Sequence, residues 1–209
     1  MNREEFVEGV RERNETALSR LGSSKSLYAD TNGEMEPDAV LRAAAAAEYH
    51  AAETFAAWAE DESDDGARDV WEHVADVEDD HYVTVRGELD GEPNLDEVPP
   101  VQQYLRGLSD PIERAGALLG RTLAADKSKE QMTGFFTGEA DPMTASTFRD
   151  LRGDLDDQLE RTLDLLDALC TDESDWERAA NAADEAIQTA YDAYTDSLES
   201  MGVNPKPVC

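Results

Sequence analysis

The chain has 209 residues, of which 49 are acidic and 18 are basic, so its formal net charge is −31. The carboxylates are spread along the whole sequence and no basic stripe is present, which argues against nucleic-acid binding and favours a protein that works in molar salt. No run of apolar residues is long enough to predict a membrane span. The first residues lack the basic start and apolar run of a secretory signal, so a cytoplasmic protein is expected.

The N-terminal part predicts one helix followed by a connection. Residues 3–22 carry apolar side chains at helical spacing and end at a glycine. Residues 23–37 contain the turn dipeptide Asn32-Gly33, so no helix is expected there. Pro37 suits the first turn of the next helix.

Two long helices are predicted next, over residues 38–61 and 67–90. A short acidic loop joins them, so they are expected to pack antiparallel. Their core-facing stripes contain Leu41, Ala44, Glu48, Ala51, Phe55 and Trp58 in the first helix, and Trp71, Val74, Glu78, His81, Val85 and Leu89 in the second.

The second half of the chain predicts further helices and no strand. They cover residues 101–107, 110–131 and 143–170, and a last one runs from Trp176 to about Met201. Residues 134–142 are expected to form a loop that Phe135 and Phe136 anchor to the core.

The predicted fold class is therefore all-α, an antiparallel four-helix bundle with additional N-terminal and connecting helices. It is expected to form one domain over residues 1–209. This domain would consist of an N-terminal helix and connection at 1–36, the bundle at 37–203 and a mobile tail at 204–209.

Three polar side chains interrupt the two apolar stripes of the first hairpin. Glu48 lies on one stripe, and Glu78 and His81 lie on the other at the i, i+3 spacing that puts both on one helix face. An ionised carboxylate costs several kcal/mol, roughly, to bury unless it is paired or bound to a cation. The pattern therefore predicts that these three residues bind a metal. His50 and His73 point away from these stripes and are expected outside the site, with His50 exposed.

The segments Ala47–Trp58 and Trp71–His81, with the acidic loop between them, resemble the first helical hairpin of the ferritin-like superfamily, and most of all that of the rubrerythrins. The resemblance implies that Glu48, Glu78 and His81 are iron ligands, with Glu78 bridging two metals. It also implies an oxidoreductase that reacts with peroxide or oxygen. Together with the acidic composition, it suggests a halophilic archaeal member of that family.

The cysteines do not supply an electron-transfer module. Cys170 and Cys209 form no CxxC pair, so no rubredoxin-like module can be built and an external electron donor would be required. Cys170 is expected to be a buried apolar residue, and Cys209 a free thiol on the tail.

The second hairpin lacks the matching ligands. Leu155-Asp-Asp-Gln158 stands where a second Glu-x-x-His is expected, and all three histidines lie in the first hairpin. Three alternatives remain open. Two copies of the half-site meet in a homodimer; or Glu113, Gln158 or water completes the site; or the chain is a degenerate, metal-free ferritin-like scaffold that acts by binding another protein.

Overall fold

The computed structural model describes residues 2–205, which form nine α-helices and no strand. The prediction of an all-α fold is confirmed. The helices are α1 (Arg3–Arg13), α2 (Glu15–Leu21), α3 (Ser24–Asp30), α4 (Pro37–Asp61), α5 (Asp65–Gly87), α6 (Pro100–Arg106), α7 (Pro111–Gly138), α8 (Pro142–Leu169) and α9 (Glu173–Ser200). Within residues 2–205, no helix combines the length and the apolar content that crossing a lipid bilayer requires.

Aspartate side chains cap the N-termini of four of the five long helices, and the exception is α4, which begins at Pro37 without a side-chain cap. The side chain of Asp110 accepts hydrogen bonds from the backbone N–H groups of Ile112 and Glu113. Asp64, Asp141 and Asp172 cap α5, α8 and α9 in the same way. Each cap satisfies backbone donors that have no partner inside the helix. Part of the acidic excess of this chain therefore serves to cap the N-termini of helices.

The N-terminal prediction is wrong in two respects. The single helix expected over residues 3–22 is broken at Asn14, whose buried side chain donates hydrogen bonds to the Val10 carbonyl at 2.9 Å and to Asp184 Oδ1 at 2.7 Å. The connection expected after it contains the two-turn helix α3. Only Leu27 and two small residues of α3 are buried, so the segment is too short to show a helical period.

The prediction of a loop over residues 134–142 is also wrong, because α7 continues to Gly138. The two aromatic residues that were expected to anchor a loop lie on a helix, where Phe136 stacks on Phe148 with ring centroids 5.5 Å apart. The turn comes instead at Ala140, which adopts a positive φ of 60° before α8 begins. The predicted tail falls largely outside the described residues, and Cys209 lies there too, while Cys170 is half-buried.

The long helices pack as two hairpins with a fifth helix beside them. Helix α4 packs along α5 and α7 along α8, and contacts between α5 and α8 join the two pairs. Helix α9 lies against α7, and α6 contacts α4 and α9. The approach of α7 to α9 is very close, since a Cβ added at Gly116 would lie 2.1 Å from the Ala179 carbonyl oxygen. Only glycine permits this contact.

Candidate functional site

The three side chains predicted as metal ligands do lie together. Glu48 comes from α4, and Glu78 and His81 from α5, and one ligand atom of each lies within 4.8 Å of the others. All three are buried, with exposed fractions of 3%, 0% and 3%. The predicted proximity is confirmed, whereas the binding of a metal stays a prediction.

Helix α7 brings two basic side chains into the same place. The guanidinium of Arg121 donates from Nη1 to Glu78 Oε1 at 2.5 Å and from Nη2 to Glu78 Oε2 at 2.9 Å. The ammonium of Lys129 donates to Glu48 Oε1 at 2.5 Å. Both basic residues are buried. Two carboxylates therefore face two cations, and the formal charges of these four side chains cancel.

Helix α8 contributes a neutral and an acidic side chain next to Glu78 and His81. Gln158 donates from Nε2 to Glu78 Oε1 at 2.9 Å, and Asp154 Oδ2 lies 3.0 Å from His81 Nε2. Gln158 thus reaches the site, as one alternative expected. Glu113 does not join the acidic group, because it lies in the first turn of α7, two turns before Arg121. We call Glu48, Glu78, His81, Arg121, Lys129 and Gln158 the central cluster.

The charges in the central cluster determine the protonation of its members. Burial alone raises the pKa of Glu48, yet the Lys129 ammonium, with a further contribution from His81, holds that pKa well below its usual range. Burial alone lowers the pKa of His81, but the nearby Glu48 and Glu78 raise it above its ordinary value. The pKa of Arg121 is raised because Glu78 outweighs the effect of burial. Glu48 is therefore ionised in the folded protein.

Three polar atoms of the central cluster lack a hydrogen bond within the described part of the chain: Glu48 Oε2, His81 Nδ1 and Gln158 Oε1. Glu48 Oε2 and His81 Nδ1 lie 3.8 Å apart. Arg121 Nη2 is 3.9 Å from the same Glu48 oxygen. Both separations exceed a hydrogen-bond distance, so the attraction is electrostatic only. The cluster balances its charge without satisfying all of its hydrogen-bonding groups.

The other two histidines lie outside the central cluster. His73 is partly exposed and lies 3.0 Å from Asp157 Oδ2, in agreement with the prediction. The prediction that His50 is exposed is wrong, since its exposed fraction is 3%. The segment before α6 covers this face of α4, and the backbone of Leu95 and Glu97 comes close to the His50 ring. Such a covering segment leaves no periodic signal in the sequence.

Sequence reasoning did not identify Arg121 and Lys129, because the search for partners in the second hairpin was directed at metal ligands. A signal was present in the spacing of basic residues. Arg114, Arg121 and Lys129 are separated by seven and eight positions, which places them close to one face of α7. All three are buried, although basic residues are almost never fully buried without a partner.

Arg114 belongs to a second buried group, which we call the end cluster, formed by Glu62, Trp71 and Arg114. Arg114 Nη1 and Trp71 Nε1 each lie 3.4 Å from Glu62 Oε2. The other carboxylate oxygen of Glu62 accepts from the backbone N–H groups of Ser63 and Asp64. The Arg114 guanidinium also lies over the Trp58 ring at 5.3 Å from its centroid. Every carboxylate oxygen of the end cluster has a donor.

The sequence matches no family model, and the searches against curated proteins and solved structures gave no match either. The assignment of a function therefore depends on the residues and their geometry.

Proposed function

We propose that this chain is a ferritin-like helical protein of the rubrerythrin type in which internal ion pairs stand in place of the metal pair. It acts as a binding scaffold and does not depend on iron. One observation carries this proposal: the Arg121 guanidinium holds both oxygens of Glu78, and the Lys129 ammonium holds Glu48.

The packing of the helices supports the ferritin-like part of the proposal. Bundles of this class combine two antiparallel hairpins through a long connection and direct their ligands into the core. Here the α4–α5 and α7–α8 hairpins pack together, residues 88–110 connect them, and Glu48, Glu78 and His81 face α7 and α8. Because these residues face helices of their own chain, we do not propose a site completed by a second copy.

The residues present do not fit a pair of metal ions. Such a site takes a Glu from each of two helices and a Glu-x-x-His from each of the other two. The first hairpin provides Glu48, Glu78 and His81, whereas the second provides Arg121, Lys129 and Gln158. The pKa of Arg121 is raised, so this side chain stays positively charged. A divalent ion at this place would meet two cations and would compete with them for the same carboxylates.

Metal content tests the proposal directly. The full chain, purified in molar KCl without a histidine tag, is incubated anaerobically with ferrous iron, desalted and analysed by elemental mass spectrometry. We expect far less than one iron per chain. About two irons per chain would overturn the proposal.

A variant supplies the matched control for this measurement. The double substitution Arg121→Met and Lys129→Met removes both competing cations and keeps the three candidate ligands, so we expect it to gain a bound divalent ion. Adding Glu48→Gln in the same background should abolish the gain. Circular dichroism shows whether each variant is folded before its metal content is compared.

A single divalent ion bound by Glu48, Glu78 and His81 is the second candidate. It is favoured because one atom of each of two candidate ligands, Glu48 Oε2 and His81 Nδ1, lacks a hydrogen bond within residues 2–205. Iron held there would supply reactivity towards peroxide or oxygen and would need an external electron donor. This candidate predicts about one metal per wild-type chain and a rise in melting temperature that His81→Gln abolishes. The mass of the particle in solution then distinguishes a metal bound by each chain from a pair shared by a dimer.

A further inference from the structure

A cavity of about 580 Å³ lies beside the central cluster, between α4, α7, α9 and the segment that leads into α6. Much of its wall is formed by small apolar side chains: Ala43, Ala46, Ala124, Ala125, Ala190 and Ala193. Its polar floor contains Glu48, Arg121 and Lys129. This volume falls in the range of small-molecule sites, which are typically apolar with a few convergent polar groups.

The cavity is lined by buried residues whose hydrogen-bonding capacity is not used up. Gln102 and Glu48 both line it, each with an exposed fraction of 3%. Within residues 2–205, Gln102 Oε1 and Glu48 Oε2 accept no hydrogen bond. Lys129 has three N–H donors, of which one is used on Glu48 Oε1. The floor can therefore both accept and donate a hydrogen bond, and buried polar groups left in this state cost free energy.

The charges around the cavity disfavour an ionised ligand. On the floor, a carboxylate would lie beside Glu48 and an ammonium beside Lys129 and Arg121. The central cluster is already balanced in charge, so a further charge in this buried place would be uncompensated. Among the remaining charged side chains of the lining, Asp30, Glu34 and Glu97 outnumber Arg42, so they also oppose the entry of anions. A hydroxyl group carries no charge and can donate and accept at once.

We propose that this cavity binds an uncharged small molecule with an apolar body and a single hydroxyl head. The hydroxyl donates to the free acceptor of Glu48 or Gln102 and accepts from Lys129, while the body lies against the alanine wall. This inference depends on the proposed function, because only the ion-paired, metal-free cluster gives the cavity a neutral floor.

Three probes of equal chain length separate the effects of charge and shape. Hexan-1-ol, hexanoate and hexylammonium are titrated into the full-length, iron-free protein in molar KCl, and binding is followed by isothermal titration calorimetry and ligand-observed NMR. We expect saturable binding of one hexanol per chain, with the two ions bound about tenfold more weakly or not at all. If hexanol fails to saturate, or if either ion binds more tightly, the proposal is wrong.

Two alanines on one helix provide matched variants. Ala46 lines the cavity, whereas Ala57 is exposed on α4 outside it. Ala46→Leu should remove hexanol binding by filling the space, and Ala57→Leu should leave it unchanged. Gln102→Leu keeps the cavity but removes one free acceptor, so it should weaken binding. Equal effects of the two leucine variants would contradict the assignment of the cavity.

The two proposals fail in different measurements. About two irons per chain together with saturable hexanol binding to the iron-free protein would overturn the proposed function and leave the cavity assignment standing. Absence of both iron and hexanol binding would overturn the cavity assignment alone.

Discussion

The central and end clusters are built alike, but they differ in whether every carboxylate oxygen has a hydrogen-bond donor. In both, acidic side chains of the α4–α5 hairpin meet a basic side chain of α7. In the end cluster, Glu62 has a donor for each oxygen, and the neighbouring Asp61 side chain is 77% exposed. In the central cluster, Glu48 retains a free oxygen beside a cavity. Buried charge alone is thus compatible with a purely structural role, and unused polar atoms next to a cavity are the better indicator of a binding site.

The largest expected effect is that of Arg121→Leu. It leaves Glu78, whose exposed fraction is 0%, without its bidentate partner. Breaking a buried ion pair by removing one partner typically costs about 3–5 kcal/mol, and we expect a loss of that size in the free energy of unfolding. Urea denaturation in molar KCl, followed by circular dichroism, measures it.

A double variant measures how much of this loss comes from the unpaired charge of Glu78. Arg121→Leu combined with Glu78→Leu removes both charges, so we expect it to be more stable than Arg121→Leu alone. If the double variant loses the sum of the two single losses, the charges do not act as a pair.

Gly116→Ala tests whether the close packing of α7 on α9 is needed to hold the basic side chains of both clusters in place. The added Cβ would meet the Ala179 backbone, so the helices must separate. Overpacking of this kind typically costs about 1–3 kcal/mol. Gly134→Ala on the same helix is the control, because a Cβ there meets nothing within 4 Å. We expect it to stabilise by about 0.5–1 kcal/mol, and thermal melts compare the two variants.

Arg114→Leu should cost less than Arg121→Leu, which sharpens the comparison between the clusters. Glu62 would keep the hydrogen bonds from Ser63, Asp64 and Trp71 after the substitution. The substitution also removes the hydrogen bond from Arg114 Nε to the Leu108 carbonyl at 3.0 Å and the long contact to Asp61, so we expect a loss of about 2 kcal/mol. Urea denaturation under the same conditions gives the ranking, and a loss equal to that of Arg121→Leu would contradict it.

The sequence predicts the site only in part, and the reason is physical. Glu48, Glu78 and His81 were found because each interrupts an apolar stripe of a long helix with a clear period. Arg121 and Lys129 lie on a helix rich in alanine and glycine, where the apolar stripe is weak. Pairing across 43 and 81 positions depends on how the hairpins pack, which local periodicity does not report.

The fold, too, was predicted where local periodicity determines it and was missed where distant contacts determine it. The long helices α4, α5, α8 and α9 begin and end close to where the apolar period places them. Helix α3 and the break at Asn14 depend on contacts with distant parts of the chain, such as the hydrogen bond from Asn14 to Asp184. Such contacts override local propensity and are visible only in three dimensions.

The pH dependence gives the smallest effect and compares two buried histidines directly. The pKa of His81 is raised by Glu48 and Glu78 against the effect of burial, so its stabilising contribution is complete below its ordinary pKa of 6.5 and is lost as the pH rises through the folded value. The pKa of His50 is lowered by burial and by the charge of Arg106. Its neutral form is favoured by folding, so its effect is destabilising as the pH falls below 6.5.

Single glutamine variants separate these two histidines. The stability advantage of the wild type over His81→Gln should shrink as the pH rises from 6 to 8, whereas its advantage over His50→Gln should grow over the same interval. Urea denaturation across that range measures both slopes. Slopes of the same sign would mean that the carboxylates of the central cluster do not act on His81, which contradicts the charge distribution from which the ion-paired site is inferred.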